Sequence, residues 1–463
     1  MSATRRQVLA RTGALGAGIA FTGALSELFA GTAAAQPLGH TGYGPLIPDP
    51  DGLLDLPRGF RYRVLSREGD ELRSGEGPVP SNHDGMAAFA ARSRDRHGGR
   101  HGGVHLVRNH ENRANGKIPV PTVKGLTYDP EGKGGCTALT LDSRNHVQDE
   151  RVAIAGTAVN CAGGPTPWHT WLTCEETEDK AGTNGYTKDH GFIFEVDPAD
   201  PHRTGAVPLT AMGRFQHEAI AVDPRRGVVY ETEDAFERPF GLFYRFLPEK
   251  PLGGTGSLRA GGRLQAMRVP GVPDLSSIQE TGACFDGVEW VDVPDPLAVE
   301  TPIRFQDFGR GGATHAQKLE GCYWGGRSVY FVSSFARSAE GSAGDHYGQI
   351  WRYDPERRRL TLVIVFGPDT DVQLPGESPD NICLAPSGGL MVCEDGNGAQ
   401  HVYGVTRRGE VYAMARGAQN IGTPQEPEWG EFAGVTFSPD GDTMYVNCYT
   451  PGTTFAVTGP WRR

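Results

Sequence analysis

Residues 217–234 read H-E-A-I-A-V-D-P-R-R-G-V-V-Y-E-T-E-D. A strand-forming run from His217 to Val222 meets a tight turn at Asp223-Pro224 and Gly227, and a second run, Val228 to Tyr230, ends on acids. Pro and Gly at the turn, with β-branched and aromatic residues on both sides, are the chemistry of a hairpin. The plan recurs from Asp380-Asn381 through Pro386 and Gly389 to Glu394-Asp395, and from Phe432 through Pro439 and Gly441 to Asn447-Cys448. Looser copies run from Asn160 to Glu176, from Leu319 to Phe335, and from His83-Asp84-Gly85-Met86 to Asn109-His110-Glu111.

One hairpin repeated along a chain with 65 Gly and 34 Pro, and few stretches of helical period, indicates an all-β fold. The copies start at 83, 160, 217, 320, 380 and 433, separated by 77, 57, 103, 60 and 53 residues. Four-stranded propeller blades repeat about every 40–50 residues, so these are blades with insertions. Between them lie second-hairpin signals at Gly191–Pro198, Gly241–Phe246, Gly348–Pro355 and 401–414. The expected fold is a six-bladed β-propeller with loop insertions over the central channel. A pair of β-sandwiches is the alternative, and it leaves the shared motif unexplained.

Each copy starts its first strand, and ends its second, on an acid, amide, histidine or cysteine. Innermost propeller strands line the channel, so this phase gathers Asn109, Glu111, Cys161, Glu175, His217, Glu218, Glu231 or Glu233, Asp380, Glu394 and Asp395 at one mouth. Like charges confined together push one another toward protonation, and multivalent cations relieve them. The stretch 159–176, V-N-C-A-G-G-P-T-P-W-H-T-W-L-T-C-E-E, adds a thiol to these acids. Read alone it fits a metal site, or equally a Cys161–Cys174 disulfide with surface glutamates. The insertion between 247 and 313 carries Glu289, either one more carboxylate over the site or part of a solvated loop.

Thr4-Arg5-Arg6-Gln7-Val8-Leu9, an apolar stretch from Gly13 to Phe29 and Ala33-Ala34-Ala35 form a twin-arginine signal peptide over 1–35. The propeller then occupies 36–463 as one domain. Removing Arg5, Arg6, Arg11 and Glu27 takes the net charge from −11 to −13. So acidic a chain lacks the basic stripe that nucleic-acid binding requires. No stretch of membrane-spanning length follows the signal, so the expected product is a soluble exported monomer. Export in the folded state weakens the case for disulfides among the eight cysteines. Cys136, Cys322, Cys383 and Cys393 read as small buried hydrophobes.

D-G-M-A-A-F (84–89), N-H-E (109–111), the 160–176 stretch, H-E-A (217–219), S-P-D-N (378–381) and C-E-D (393–395) together resemble the PhoX family of secreted bacterial alkaline phosphatases. The resemblance implies a metal-dependent phosphomonoesterase with two ferric ions, three calcium ions and a bridging oxo group in the channel. It assigns Cys161 to iron. Glu175, Glu218, Glu289, Glu394 and Asp380 become carboxylate ligands, with Asn109, Glu111 and Glu233 as further calcium ligands. Cys161, Glu175, Glu218, Asp380 and Glu394 form the expected catalytic set, and Arg108, Arg113 and His315 the expected phosphate contacts. The chain departs from the family pattern in its shortness, in His169 where glycine is usual, and in a fourth blade ending on Ser333-Ser334-Phe335 without a carboxylate. The rival readings are a calcium-dependent propeller hydrolase of phytase or lactonase type and a non-catalytic exported binding propeller.

Overall fold

Apolar runs broken by Gly and Pro turns give strands almost throughout, and among the described residues the helical pieces are short 3-10 turns such as Thr210–Met212. The computed structural model describes residues 42–91, 103–336, 347–366, 378–396, 398–423 and 425–463. The signal-peptide reading of 1–35 lies outside them. No helix among the described residues is long and apolar enough to cross a membrane.

The strands form six sheets. Blade 1 comprises His83–Ala90, Val104–His110, Gly134–Leu141 and Val147–Thr157. Blade 2 is three-stranded, with Asn160–Pro165, Trp171–Glu175 and Ile193–Val196. Blade 3 comprises His217–Val222, Val229–Glu233, Gly241–Pro248 and Gly262–Arg268. Blade 4 has Leu319–Gly325, Ser328–Ala336, Tyr347–Asp354 and Arg359–Val365. Blade 5 has Pro379–Leu384, Leu390–Glu394, His401–Val405 and Val411–Gly417. Blade 6 takes Phe432–Phe437, Thr443–Cys448 and Thr453–Thr458 from the chain's end. Its outer strand, Arg61–Arg67, comes from the other end of the described chain and closes the ring by pairing with Thr453–Thr458.

The first strand of each blade contacts the first strands of both neighbours, so all six surround one axis. Blade faces meet through fully buried aromatics: Phe243 of blade 3 stacks on Phe331 of blade 4 at 4.2 Å between ring centroids. Burying one such ring contributes roughly 1.5–3 kcal/mol, enough to fix neighbouring blades against each other. The 247–313 insertion clasps outer edges. Cys284–Asp286 adds a strand to blade 4, and Glu289–Asp292 adds one to blade 3.

Candidate metal centre

The innermost strands share one irregularity. Their pairing with the second strand slips between His83 and Met86, Asn160 and Gly163, His217 and Ile220, Leu319 and Cys322, and Pro379 and Ile382. Blade 6 slips between Ala433 and Thr436. A bulge of this kind re-aims a side chain. The residues it presents are Asp84, Cys161, Glu218, Glu320 and Asp380, with Ala433 in blade 6. A small residue follows in all but blade 5, because the backbones crowd the axis there. A Cβ on Gly85 would lie 2.6 Å from Cα of Ala162, and one on Gly321 would lie 2.6 Å from the Asp380 carbonyl.

A second tier comes from where the second strand ends. Backbone N–H groups of Glu111, Glu176, Asp234, Ser334, Asp395 and Tyr449 donate to the carbonyls of Asn82, Val159, Gln216, Lys318, Ser378 and Glu431, one such bond per blade, at 2.8–3.1 Å. The two tiers meet. Ligand atoms of Cys161, Glu176 and Glu218 lie within 4.8 Å of one another, and so do those of Glu218, Glu320 and Asp380. Glu218 belongs to both groups.

Burial, then Glu111 and Asp380, pushes the Asp84 carboxyl well above the ordinary range. Burial, then Glu320 and Asp380, does the same to Glu218, and burial, then Glu320 and Asp395, does it to Asp380. Glu176 is raised by burial, Asp234 and Glu111, and Glu431 by burial and Asp395. Burial, with Glu218 and Glu176 beside it, also raises the Cys161 thiol. Lys318 brings an ammonium in among these acids, touching Glu320 and lying 3.6 Å from Asp234. Burial raises Glu320 to about 7 even against this ammonium. The donor set fits cations: carboxylates of several blades converge with one thiol, and Asp234 Oδ1 is buried without a hydrogen-bond partner. A buried acid oxygen in that state calls for a proton, water or metal.

The structure distributes the expected residues unevenly. Cys161, Glu218, Asp380, Glu111 and Asp395 stand in the cluster. Arg113 is at its rim, 3.0 Å from Glu111 and 3.7 Å from Glu176, with its side chain 63% exposed. Glu175, Glu233 and Glu394 do not face it. One carboxylate oxygen of Glu175 accepts from Ala158 N and His190 Nδ1, the other from Gly191 N and Phe192 N. Glu233 accepts from Leu242 N and the Tyr244 hydroxyl and pairs with Arg304 at 3.1 Å. Glu394 accepts from His401 N and Nδ1. All three staple the second strand to the third.

Asn109 donates to the Cys161 and Ala162 carbonyls at 3.1 and 2.7 Å and so holds the bulge that presents Cys161. Glu289 lies on the outer strand of blade 3, exposed and 3.8 Å from Arg268. Arg108 is fully buried, bonded to Glu150, Thr137 and Thr454 between blades 1 and 6. His315 bonds the Phe240 carbonyl beside blade 3. His217 and Glu231 face each other inside blade 3 at 3.5 Å. All eight cysteines are free, which removes the Cys161–Cys174 disulfide.

Sequence reasoning missed Asp84, Glu176, Asp234, Glu320, Glu431 and Lys318 as members of the cluster. A usable signal was present for the first tier: a chemically active residue before a small one near the start of the strand, as in Asp84-Gly85, Cys161-Ala162, Glu218-Ala219 and Glu320-Gly321.

Fold and site together define a β-propeller whose channel mouth gathers cation-binding groups. The family model for alkaline phosphatase PhoX matches residues 41–152 and 142–452. The chain belongs to the PhoX family, whose members are metal-dependent, and it is a phosphomonoesterase. No curated protein matches it. Among solved structures it is similar to a gluconolactonase from Xanthomonas campestris, at 12% identity and a TM-score of 0.42 over 91% of this chain and 99% of that one. It is also similar to the PQQ domain of a pyranose dehydrogenase from Coprinopsis cinerea, at 11% identity and 0.41 over 89% and 98%.

Proposed function

We propose that the chain hydrolyses phosphomonoesters at a mixed iron and calcium cluster held by the mouth acids and Cys161. The observation that carries this reading is the double membership of Glu218, in one group with a thiol and in another of oxygens alone. Thiolate is a soft donor suited to a transition metal such as iron, so Cys161, Glu176 and Glu218 would hold ferric ion. Carboxylate clusters suit calcium, which Glu218, Glu320 and Asp380 would hold, with Asp84, Glu111, Asp234, Asp395 and Glu431 extending the oxygen set. When bound, such ions supply Lewis-acid stabilisation of the charge on the transferring phosphoryl group and acidify a water.

The chain's own groups do the positioning. The Lys318 ammonium, already seated among the acids, donates to the non-bridging phosphoryl oxygens. Arg113, reaching in from the rim, meets the phosphate from the solvent side. The close strand approach at Gly85 and Gly321 crowds the axis beneath the first tier, so the ester group projects outward through the mouth. Glu175, Glu394 and Asn109 act at one remove, by fixing the strand ends that present the neighbouring acids and Cys161.

Elemental analysis of the purified mature protein tests the cluster, together with p-nitrophenyl phosphate hydrolysis by the wild type and by Cys161→Ala. The expected result is iron and calcium in the wild type, with loss of iron and of nearly all activity in the variant. Full iron content and activity in Cys161→Ala would overturn the assignment. For the leader, Arg5→Lys combined with Arg6→Lys is expected to leave the protein in the cytoplasm, and unchanged export would refute the twin-arginine reading.

A further inference from the structure

Neighbouring strands within each blade are antiparallel, so the first and third strands both run from the mouth toward the far end of the channel. The turns joining strand one to two and strand three to four therefore share the face opposite the metal centre. In the described turns of that face Lys and Arg outnumber Asp and Glu, although the whole chain carries −11. Arg225 and Arg226 occupy the first turn of blade 3 and Lys250 its second, while Arg327 and Arg408 occupy turns of blades 4 and 5. Arg58 precedes the outer strand of blade 6, and all six are exposed. Arg225 and Arg226 both reach Glu356, at 3.5 and 3.4 Å, and Arg226 also reaches Asp223. Arg58, Lys250, Arg327 and Arg408 make no side-chain ion pair with another described residue. Two apolar side chains stand among these cations: Leu252 beside Lys250, and Val207 in the 197–207 turn of blade 2, each 41% exposed.

We propose that this face seats the protein on an anionic lipid surface, with the basic side chains at the headgroup phosphates and Leu252 and Val207 at the acyl boundary. Each Lys or Arg brought near an anionic leaflet strengthens binding by about five-fold. Apolar tips among the cations separate a lipid surface from a soluble polyanion, because only the lipid offers them somewhere to be buried. The acids at the other end of the channel favour the same orientation, since an anionic surface repels them, and the mouth is left open to solvent. None of this depends on which reaction the mouth carries out.

Flotation of the metal-loaded protein tests the face, using vesicles of phosphatidylcholine alone and of phosphatidylcholine with about one third phosphatidylglycerol. Capture by the anionic vesicles alone, reversed by added salt, is expected. Arg327→Glu combined with Arg408→Glu should weaken capture by about 25-fold or more. Leu252→Ser should weaken it about three-fold. Thermal stability and p-nitrophenyl phosphate hydrolysis in free solution should stay at wild-type values in both variants. Equal capture by neutral vesicles, or capture by neither, would overturn the proposal. So would capture that inorganic phosphate abolishes and the substitutions leave unchanged, because the mouth would then hold the headgroups. Binding of soluble polyphosphate that Leu252→Ser does not alter, with no capture by vesicles, would identify a polyanion as the partner and likewise overturn it.

Discussion

Glu175 and Glu176 are adjacent carboxylates with opposite duties. Glu175 satisfies backbone N–H groups of Ala158, Gly191 and Phe192 and one nitrogen of His190. Glu176 faces Glu218 and the Cys161 sulfur. Replacing Glu175 by Gln puts an N–H₂ where backbone donors need an acceptor, which costs about 1–3 kcal/mol for each group left unsatisfied. Replacing Glu176 by Gln removes one charge from a crowded site and one proposed metal ligand. Glu175→Gln is therefore expected to lower the denaturation midpoint while keeping metal bound to folded molecules. Glu176→Gln should lower metal affinity on the order of 100-fold or more and leave the metal-free fold as stable as the wild type or more so. Denaturant titration and metal analysis of both variants would show the reverse pattern if the duties were exchanged.

At the scale of the strand, the bulge sets which of two neighbouring residues meets the axis. Gly85 sits in the blade 1 bulge against Ala162 of blade 2. Gly85→Ala is expected to force those strands apart, costing about 1–3 kcal/mol by denaturation and weakening metal binding with no ligand altered. Unchanged stability and metal content would show that the close approach does not matter. The same bulges explain what the sequence made legible. Six hairpins and their order could be read from Pro and Gly turns, because turn chemistry is local. The inward residues of the first strands were partly readable, as with Cys161, Glu218 and Asp380. The second strands were not. Pairs such as Glu175-Glu176, Glu233-Asp234 and Glu394-Asp395 place one acid on each face, and a slip of one residue exchanges them. Register depends on a bulge in the partner strand, which alternation along a single strand does not encode. Lys318 and Glu431 enter through the residue next to the inner strand, a position with no periodic signature. His169 is a local exception of the same kind: its φ of 68° falls in the left-handed region that glycine adopts at least cost.

Across the whole molecule, closing six blades on one axis concentrates acids that repel one another, so stability depends on what neutralises them. In the metal-free protein Asp84, Glu176, Glu218 and Asp380 are held well above the unfolded carboxylate values of about 4, and Glu320 at about 7. Below those unfolded values all are protonated in both states. As pH rises through about 4 and onward past the raised folded values, the unfolded chain releases its protons first and the folded state loses stability. Bound cations displace those protons with less cost at higher pH. The gap in melting temperature between metal-loaded and chelator-stripped protein is therefore expected to widen from about pH 5 to about pH 8. Parallel curves would mean that the mouth acids do not carry the metal. The most direct measurement is anomalous diffraction at the iron edge from crystals of the protein. A peak bounded by Cys161, Glu176 and Glu218 is the predicted result. A mouth without iron, its acids bonded only to water, or an iron peak elsewhere would contradict the account.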